Sequence, residues 1–222
     1  AWVVGAIGSH GFLVVAEQDD GPVLVLAEAD AQGLVIDKRT QADGSSLGEL
    51  SFSGTPAAEL ASSGAVLTAL AEAVADATAL AAAELVGLSE RAFEITLDYI
   101  KTREQFDKPI GSFQVIQHRA VDLNVMCEVA QAGVREVLAL MDRETDQKVR
   151  AQLASRAKAR AVTAAKRITR DAVQLHGAVG YTDEFDIGLY LNRSLVLSAW
   201  LGDDAYHRRI WFDAREAEGA AQ

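Results

Sequence analysis

The spacing of apolar residues changes once along this chain. Over residues 1 to about 60 they come in short runs, at 12–16, 23–27, 33–36 and 47–52. Asp19-Asp20-Gly21-Pro22 and Asp43-Gly44 separate these runs with turn chemistry, so the stretch predicts strands. Ala1-Trp2-Val3-Val4 is itself strand-like. This is too little chain for a closed β-domain and reads as part of one. After Gly54-Thr55-Pro56 the period becomes helical. From Val66 the apolar positions are Leu67, Leu70, Val74, Ala77, Ala81, Leu85, Leu88, Ala92, Ile95 and Tyr99. A second series runs Phe113, Ile116, Ala120, Leu123, Cys127, Ala130, Val134, Val137 and Met141. Alternating steps of three and four describe the seam of a bundle helix. Arg143-Glu144-Thr145-Asp146 interrupts the pattern, with Asp146 as an N-cap. A third series takes Val149, Leu153, Ala157, Ala161, Ala164, Ile168, Ala172 and Leu175, and stops where Gly177 and Gly180 suit a helix end. A fourth helix is expected from about Asp186 into the 210s, bent near Gly202, followed by a frayed tail at Gly219-Ala220-Ala221-Gln222. The expected fold is α+β but mostly α: an incomplete β-domain over 1–60, then an antiparallel four-helix bundle over 61–222.

Composition narrows the function. The 222 residues are 50% hydrophobic, with a formal net charge of −11 and a sequence pI of about 4.8. That balance argues against a nucleic-acid backbone or an anionic membrane surface as partner. No apolar run reads as long enough to span a bilayer, and no signal peptide is visible. The chain opens without methionine, which leads to the expectation that further residues precede it. One cysteine, Cys127, permits no internal disulfide and fits a reducing, cytoplasmic setting. No Cys/His cluster suggests a metal, and no phosphate-loop glycine pattern is present.

Two stretches carry candidate chemistry. The first is a corner between helices, with Lys108-Pro109-Ile110-Gly111 turning the chain and Ser112 as the next N-cap. Arg103 and Phe106, three apart, are expected to share a face near a helix end. They would pair a fixed cation with an aromatic plane, suited to a ligand with a phosphate and a flat ring. The second is Gln174-Leu175-His176-Gly177-Ala178-Val179-Gly180, where an amide and open backbone N–H groups could hold a pyrophosphate. Taken singly, each is more readily an ordinary helix end than a site: a dipole-compensating arginine beside a packed ring, and a glycine C-cap.

Together these segments resemble the acyl-CoA dehydrogenase family. Arg103-Glu-Gln-Phe106, then Lys-Pro-Ile-Gly-Ser-Phe-Gln114-Val-Ile-Gln-His118, is similar to its Arg-x-x-Phe segment and the Gln-x-x-Gln-His that follows. Gln174 to Thr182 is similar to its Gln-x-x-Gly-Gly-x-Gly-Tyr/Phe-Thr. The resemblance covers the whole chain, as most of a middle β-domain and the C-terminal helical domain, without the family's N-terminal helical domain. It implies FAD bound across a subunit interface. Arg103 would meet the pyrophosphate of the neighbour's FAD, Phe106 would pack on the cofactor and Gln114 would contact its adenosine half. Gln174, Leu175, His176, Gly177 and Ala178 would supply amide and backbone donors. Trp2 falls at the tryptophan that lines the flavin of its own subunit. The implied reaction is α,β-dehydrogenation of an acyl-CoA thioester, from fatty or steroid side chains, with an electron-transferring flavoprotein as acceptor.

The chain departs from that pattern at the base. The family's usual glutamate falls on Leu201 or Gly202, and its alternative place on the first bundle helix falls near Ala77, beside Asp76. One helical residue is a rotation of about 100°. Asp76, Asp203 and Asp204 remain as candidate bases. Val4 replaces a flavin-contacting threonine, Ala178 a glycine, and Asp107 a glycine whose replacement brings negative charge near a pyrophosphate. Three assemblies follow. One is a subunit of a heterotetramer whose homologous partner supplies the carboxylate, which the missing glutamate and Val4 favour. Another is a homo-oligomer with a displaced aspartate base. The last is a helical assembly module without flavin.

Overall fold

The computed structural model describes residues 1–62 and 64–220. The chain divides into two compact units, Ala1–Ala73 and Val74 onward.

The first unit is built from strands. β1 (Trp2–Val4), β2 (Gly11–Gln18), β3 (Gly21–Glu28), β4 (Leu34–Thr40), β5 (Ser46–Phe52) and β6 (Ala58–Ser62) form two antiparallel sheets, ordered β1-β5-β4 and β2-β3-β6. Each expected strand forms. The Asp19–Asp20 turn joins β2 to β3, with Pro22 inside β3 opposite Glu17 rather than in the turn. β6 went unread because all five of its residues are exposed, so no alternation marks it. The core of this unit is small, centred on Ala6, Phe12 and Leu50. Leu13, Val35 and Leu60 stay more than half exposed.

The helices are α1 (Gly64–Thr102), α2 (Gln114–Met141), α3 (Gln147–His176), α4 (Ile187–Ala199) and α5 (Asp204–Ala220). In the second unit, one continuous core takes Ala79, Ala82 and Leu85 from α1, Leu123, Val134 and Val137 from α2, Ala161, Ala165 and Ile168 from α3, and Leu197 from α4. α3 is the central helix. Its alanines 154, 157, 161, 164, 165 and 172 are all buried, and their small side chains let neighbouring helices approach closely. At 39 residues, α1 is long and apolar enough by length and composition to cross a bilayer, which corrects the expectation that no stretch is. Its buried face is accounted for by the bundle core. On the same helix Leu67, Leu70 and Val74, expected on the seam, are exposed.

Two helix starts differ in kind. Asp146 caps α3 as expected, its carboxylate accepting from the N–H groups of Lys148 at 2.8 Å and Val149 at 3.2 Å. Asp146→Ala should therefore lower stability by about 1 kcal/mol in urea unfolding. Ser112 does not cap α2. Its hydroxyl donates to the Pro109 carbonyl at 2.7 Å, and Phe113 occupies the cap position without a side-chain bond.

The expected fourth helix is two helices. α4 ends at Ala199 and α5 begins at Asp204, because Leu201 and Gly202 take φ of 60° and 106°, which no helix accommodates. A Cβ at Gly202 would lie 2.4 Å from the Tyr206 ring, so this break needs glycine. α5 continues to Ala220, into the expected tail, and residues 221 and 222 lie outside the described residues.

Candidate functional site

The corner after α1 is a hairpin. Thr102 ends the helix, and β7 (Glu104–Gln105) pairs with β8 (Lys108–Pro109) through a two-residue turn at Phe106 and Asp107. Both turn residues have positive φ, 54° and 62°, the left-handed pair that a tight hairpin requires. Asparagine, aspartate and glycine favour that conformation and phenylalanine does not, so Phe106 is held in strain. The expectation that Arg103 and Phe106 share a helix face is corrected accordingly: helical periodicity ends before either residue. Phe106 is 86% exposed and meets Phe113 edge-on, with centroids 6.1 Å apart. Gly111 closes the corner, since a Cβ there would come within 2.8 Å of the Ile100 carbonyl oxygen.

Arg103 and the end of α3 are brought together. A groove of about 670 Å³ is lined by Arg103, Gln105 and Tyr99 on one side and by Gln174, Leu175, His176, Gly177 and Ala178 on the other, with Ile110, Val179 and Phe185 completing it. Arg103 is exposed, and among the described residues its guanidinium has no ion pair or side-chain hydrogen bond. Gly177 has φ 65°, and a Cβ built on it would meet nothing within 4 Å, so its backbone lies open. Leu175 and His176 contribute differently, because both side chains are buried. Gln114, at the start of α2, is exposed and outside the groove lining. Trp2 lies on β1 in the first unit and is 57% exposed.

An aromatic cluster underlies the groove. The His176 ring stacks on Tyr99 with centroids 4.3 Å apart and lies 4.8 Å from Phe185. Tyr99 donates from its hydroxyl to the His176 carbonyl at 3.2 Å, so α1 and the end of α3 are joined by both stacking and a hydrogen bond. His176 Nδ1 donates to the Ala172 carbonyl at 2.7 Å, and burial pushes the imidazole pKa down. Nδ1 therefore carries a proton, since the carbonyl can only accept. Tyr99 and Phe185 were not singled out as site residues. The available signal was Tyr99 on the apolar seam of α1, in the last turn before the corner; Phe185 carried none.

Each candidate acid has a partner. Asp76, on α1, meets Arg150 at 2.6 Å, and that guanidinium also donates to the carbonyls of Met141 and Glu144, clamping the α2–α3 connection. Asp204 lies 2.9 Å from Lys166 and 3.5 Å from Arg208, and the Lys166 hydrogen bond holds its carboxyl below the usual range. Asp203 caps α5, accepting from the Tyr206 N–H at 2.8 Å. Neither Leu201 nor Gly202, the two positions on which the family's glutamate was expected to fall, has a proton-accepting group.

The groove fits one part of a dinucleotide. A free guanidinium, an exposed amide and open glycine backbone form the donor set that a pyrophosphate requires, and the volume lies within the ordinary range for ligand sites. Residues 67–214 match the family described as acyl-CoA dehydrogenase, C-terminal domain. The chain belongs to the acyl-CoA dehydrogenase family. Members of this family use FAD. Acyl-CoA dehydrogenase IpdE2 of Mycolicibacterium smegmatis is 39% identical over 121 residues, 54% of this chain and 36% of that protein. Among solved structures, the Tcur3481–Tcur3483 steroid ACAD is 31% identical with a TM-score of 0.85, covering 100% of this chain and 59% of its own. The ChsE4–ChsE5 complex from Mycobacterium tuberculosis is 25% identical with a TM-score of 0.76, covering 96% and 56%. The chain therefore spans between about a third and three-fifths of the length of these three proteins. Like them, it combines a small β-unit with a helical bundle.

Proposed function

We propose that this chain is a subunit of a heteromeric acyl-CoA dehydrogenase and grips FAD for a reaction whose base comes from a homologous partner subunit. Arg103 and Gln174 face the groove exposed, while every acid considered as a base is engaged elsewhere. That contrast carries the reading: Arg103 has no partner among the described residues, whereas Asp76, Asp203 and Asp204 are bonded to Arg150, to the α5 backbone and to Lys166. Two similar structures whose names pair two proteins, Tcur3481–Tcur3483 and ChsE4–ChsE5, favour the same assembly.

The substrate is an acyl-CoA thioester with a fatty or steroid side chain, the latter favoured by the similarity to a steroid ACAD. FAD, when bound, supplies the acceptor for the hydride leaving the β-carbon. Arg103 holds the pyrophosphate by charge-assisted hydrogen bonds, and Gln174 with the Gly177 and Ala178 backbone adds neutral donors. Tyr99, His176 and Phe185 keep that helix end rigid, so the donors are preorganised. The α-proton goes to a carboxylate of the partner, because neither Leu201 nor Gly202 can accept it. Electrons then leave to an electron-transferring flavoprotein.

The test uses protein expressed from its complete gene, alone and together with a homologous subunit. Expected is a colourless chain alone and a yellow complex that bleaches with an acyl-CoA. A yellow chain that bleaches by itself would overturn the heteromer in favour of a homo-oligomer. Absence of flavin from both preparations would leave only an assembly role.

A further inference from the structure

Gln174 also lines a second recess, of about 470 Å³, of which the cofactor reading uses no other residue. It is lined by Arg119 from α2, by Arg170, Asp171, Val173 and Gln174 from α3, and by Tyr181 and Leu191. Among the described residues seven arginines are ion-paired, namely 39, 91, 150, 156, 167, 193 and 208. Arg119 and Arg170 form no ion pair there, although the chain as a whole carries −11. In so acidic a protein, two uncompensated guanidiniums from adjacent helices in one recess invert the local field. The carboxylate in the lining does not cancel them, because Asp171 is bonded to Arg167 at 2.7 Å. Arg170 and Gln174 are four apart on α3, so a cation and an amide face the recess from one helix side. Tyr181 is 76% exposed and offers a ring face for stacking.

We infer that Arg119 and Arg170 form an anion site, distinct from the Arg103 groove, that takes the phosphate group of a nucleotide. Guanidinium forks match phosphate oxygens two at a time, and Tyr181 presents a flat apolar face to a base. The volume accommodates a nucleotide rather than a bare ion. The inference does not depend on flavin occupying the Arg103 groove, and the experiment separates the two.

The protein, in whichever assembly is stable, is titrated with ADP, adenosine and inorganic phosphate by calorimetry, with flavin content measured alongside. ADP should bind, with adenosine and inorganic phosphate each much weaker. The Arg119→Gln and Arg170→Gln double variant should weaken ADP about tenfold or more, while flavin content stays unchanged. The single variants, expected to lose less each, serve if the double variant folds poorly. Equal binding of inorganic phosphate and ADP would overturn the nucleotide, leaving a free-phosphate site. ADP binding unaltered in the single and double variants, or absent from the wild type, would overturn the site. Loss of flavin from the double variant would make the recess part of the FAD grip and overturn its independence. Loss of flavin on Arg103→Gln with ADP binding intact is the expected separation of the two sites.

Discussion

Arg103→Ala should strip flavin from the assembled protein, weakening its binding by roughly 10- to 100-fold. The magnitude follows from losing a charge-assisted hydrogen-bonding group, worth about 1.5–3 kcal/mol where the partner is charged. Arg103 is a clean place to look because its side chain holds nothing else. The backbone at this position bonds to the Tyr99 and Ile110 backbone, and alanine keeps both of those bonds. Helix content and urea midpoint should therefore match the wild type while flavin falls. Arg103→Lys should recover only part of the affinity, since an ammonium places charge without the two-pronged geometry. Flavin-to-protein ratios after gel filtration and a fluorescence titration of the stripped complex provide the measurement. An unchanged ratio in Arg103→Ala would remove the groove as the cofactor grip.

Lys158 should produce a large effect on stability, and one that depends on pH. It is fully buried on α3, with Nζ donating to the carbonyls of Leu197 at 2.8 Å and Trp200 at 2.7 Å. It thus closes the end of α4 just before the Leu201–Gly202 break. Burial lowers its pKa from 10.5 to about 8. Between those values the unfolded chain holds a proton that the folded chain has released, so stability rises with pH. The gain approaches about 3 kcal/mol across the whole window. A neutral amine still donates both hydrogen bonds, so the turn survives the loss of charge. Cys127 works in the opposite sense. Burial raises its thiol from 9.0 to about 11, so the folded chain keeps a proton that the unfolded chain loses, and stability falls as pH rises through that range. Between pH 8 and 9 only the lysine window is open. Lys158→Met has no amine to titrate, so the urea-derived stability difference between wild type and variant should widen with pH from 8 to 10.5. A constant difference would mean that Lys158 titrates as an exposed lysine does.

These two residues mark the division between what local sequence carries and what it does not. The six seam positions from Leu123 to Met141 on α2 are all buried, and the core of α3 follows its period equally well, because side-chain direction in a helix depends only on position along it. Asp146 was legible for the same reason, since a cap acts over two or three residues. The Arg103 and Gln174 segments were legible as motifs, and the family they resemble is the family to which the chain belongs.

Tertiary structure decided the rest. The groove exists only because the end of α1 and the end of α3 meet, through Tyr99 and His176 from opposite ends of the bundle sequence. Asp76 became the partner of Arg150 by packing between distant segments, and Lys158 closes the end of α4 through carbonyls some forty residues further along the chain. The hairpin overrode what Phe106 prefers, since a phenylalanine holds a left-handed φ of 54° there. Sequence alone thus determined where most of the helices lie, the buried faces of α2 and α3, and the motifs that mark the family, all set by near neighbours. Which charged groups are free to meet a ligand depended on contacts between residues far apart in the chain, which periodicity does not encode.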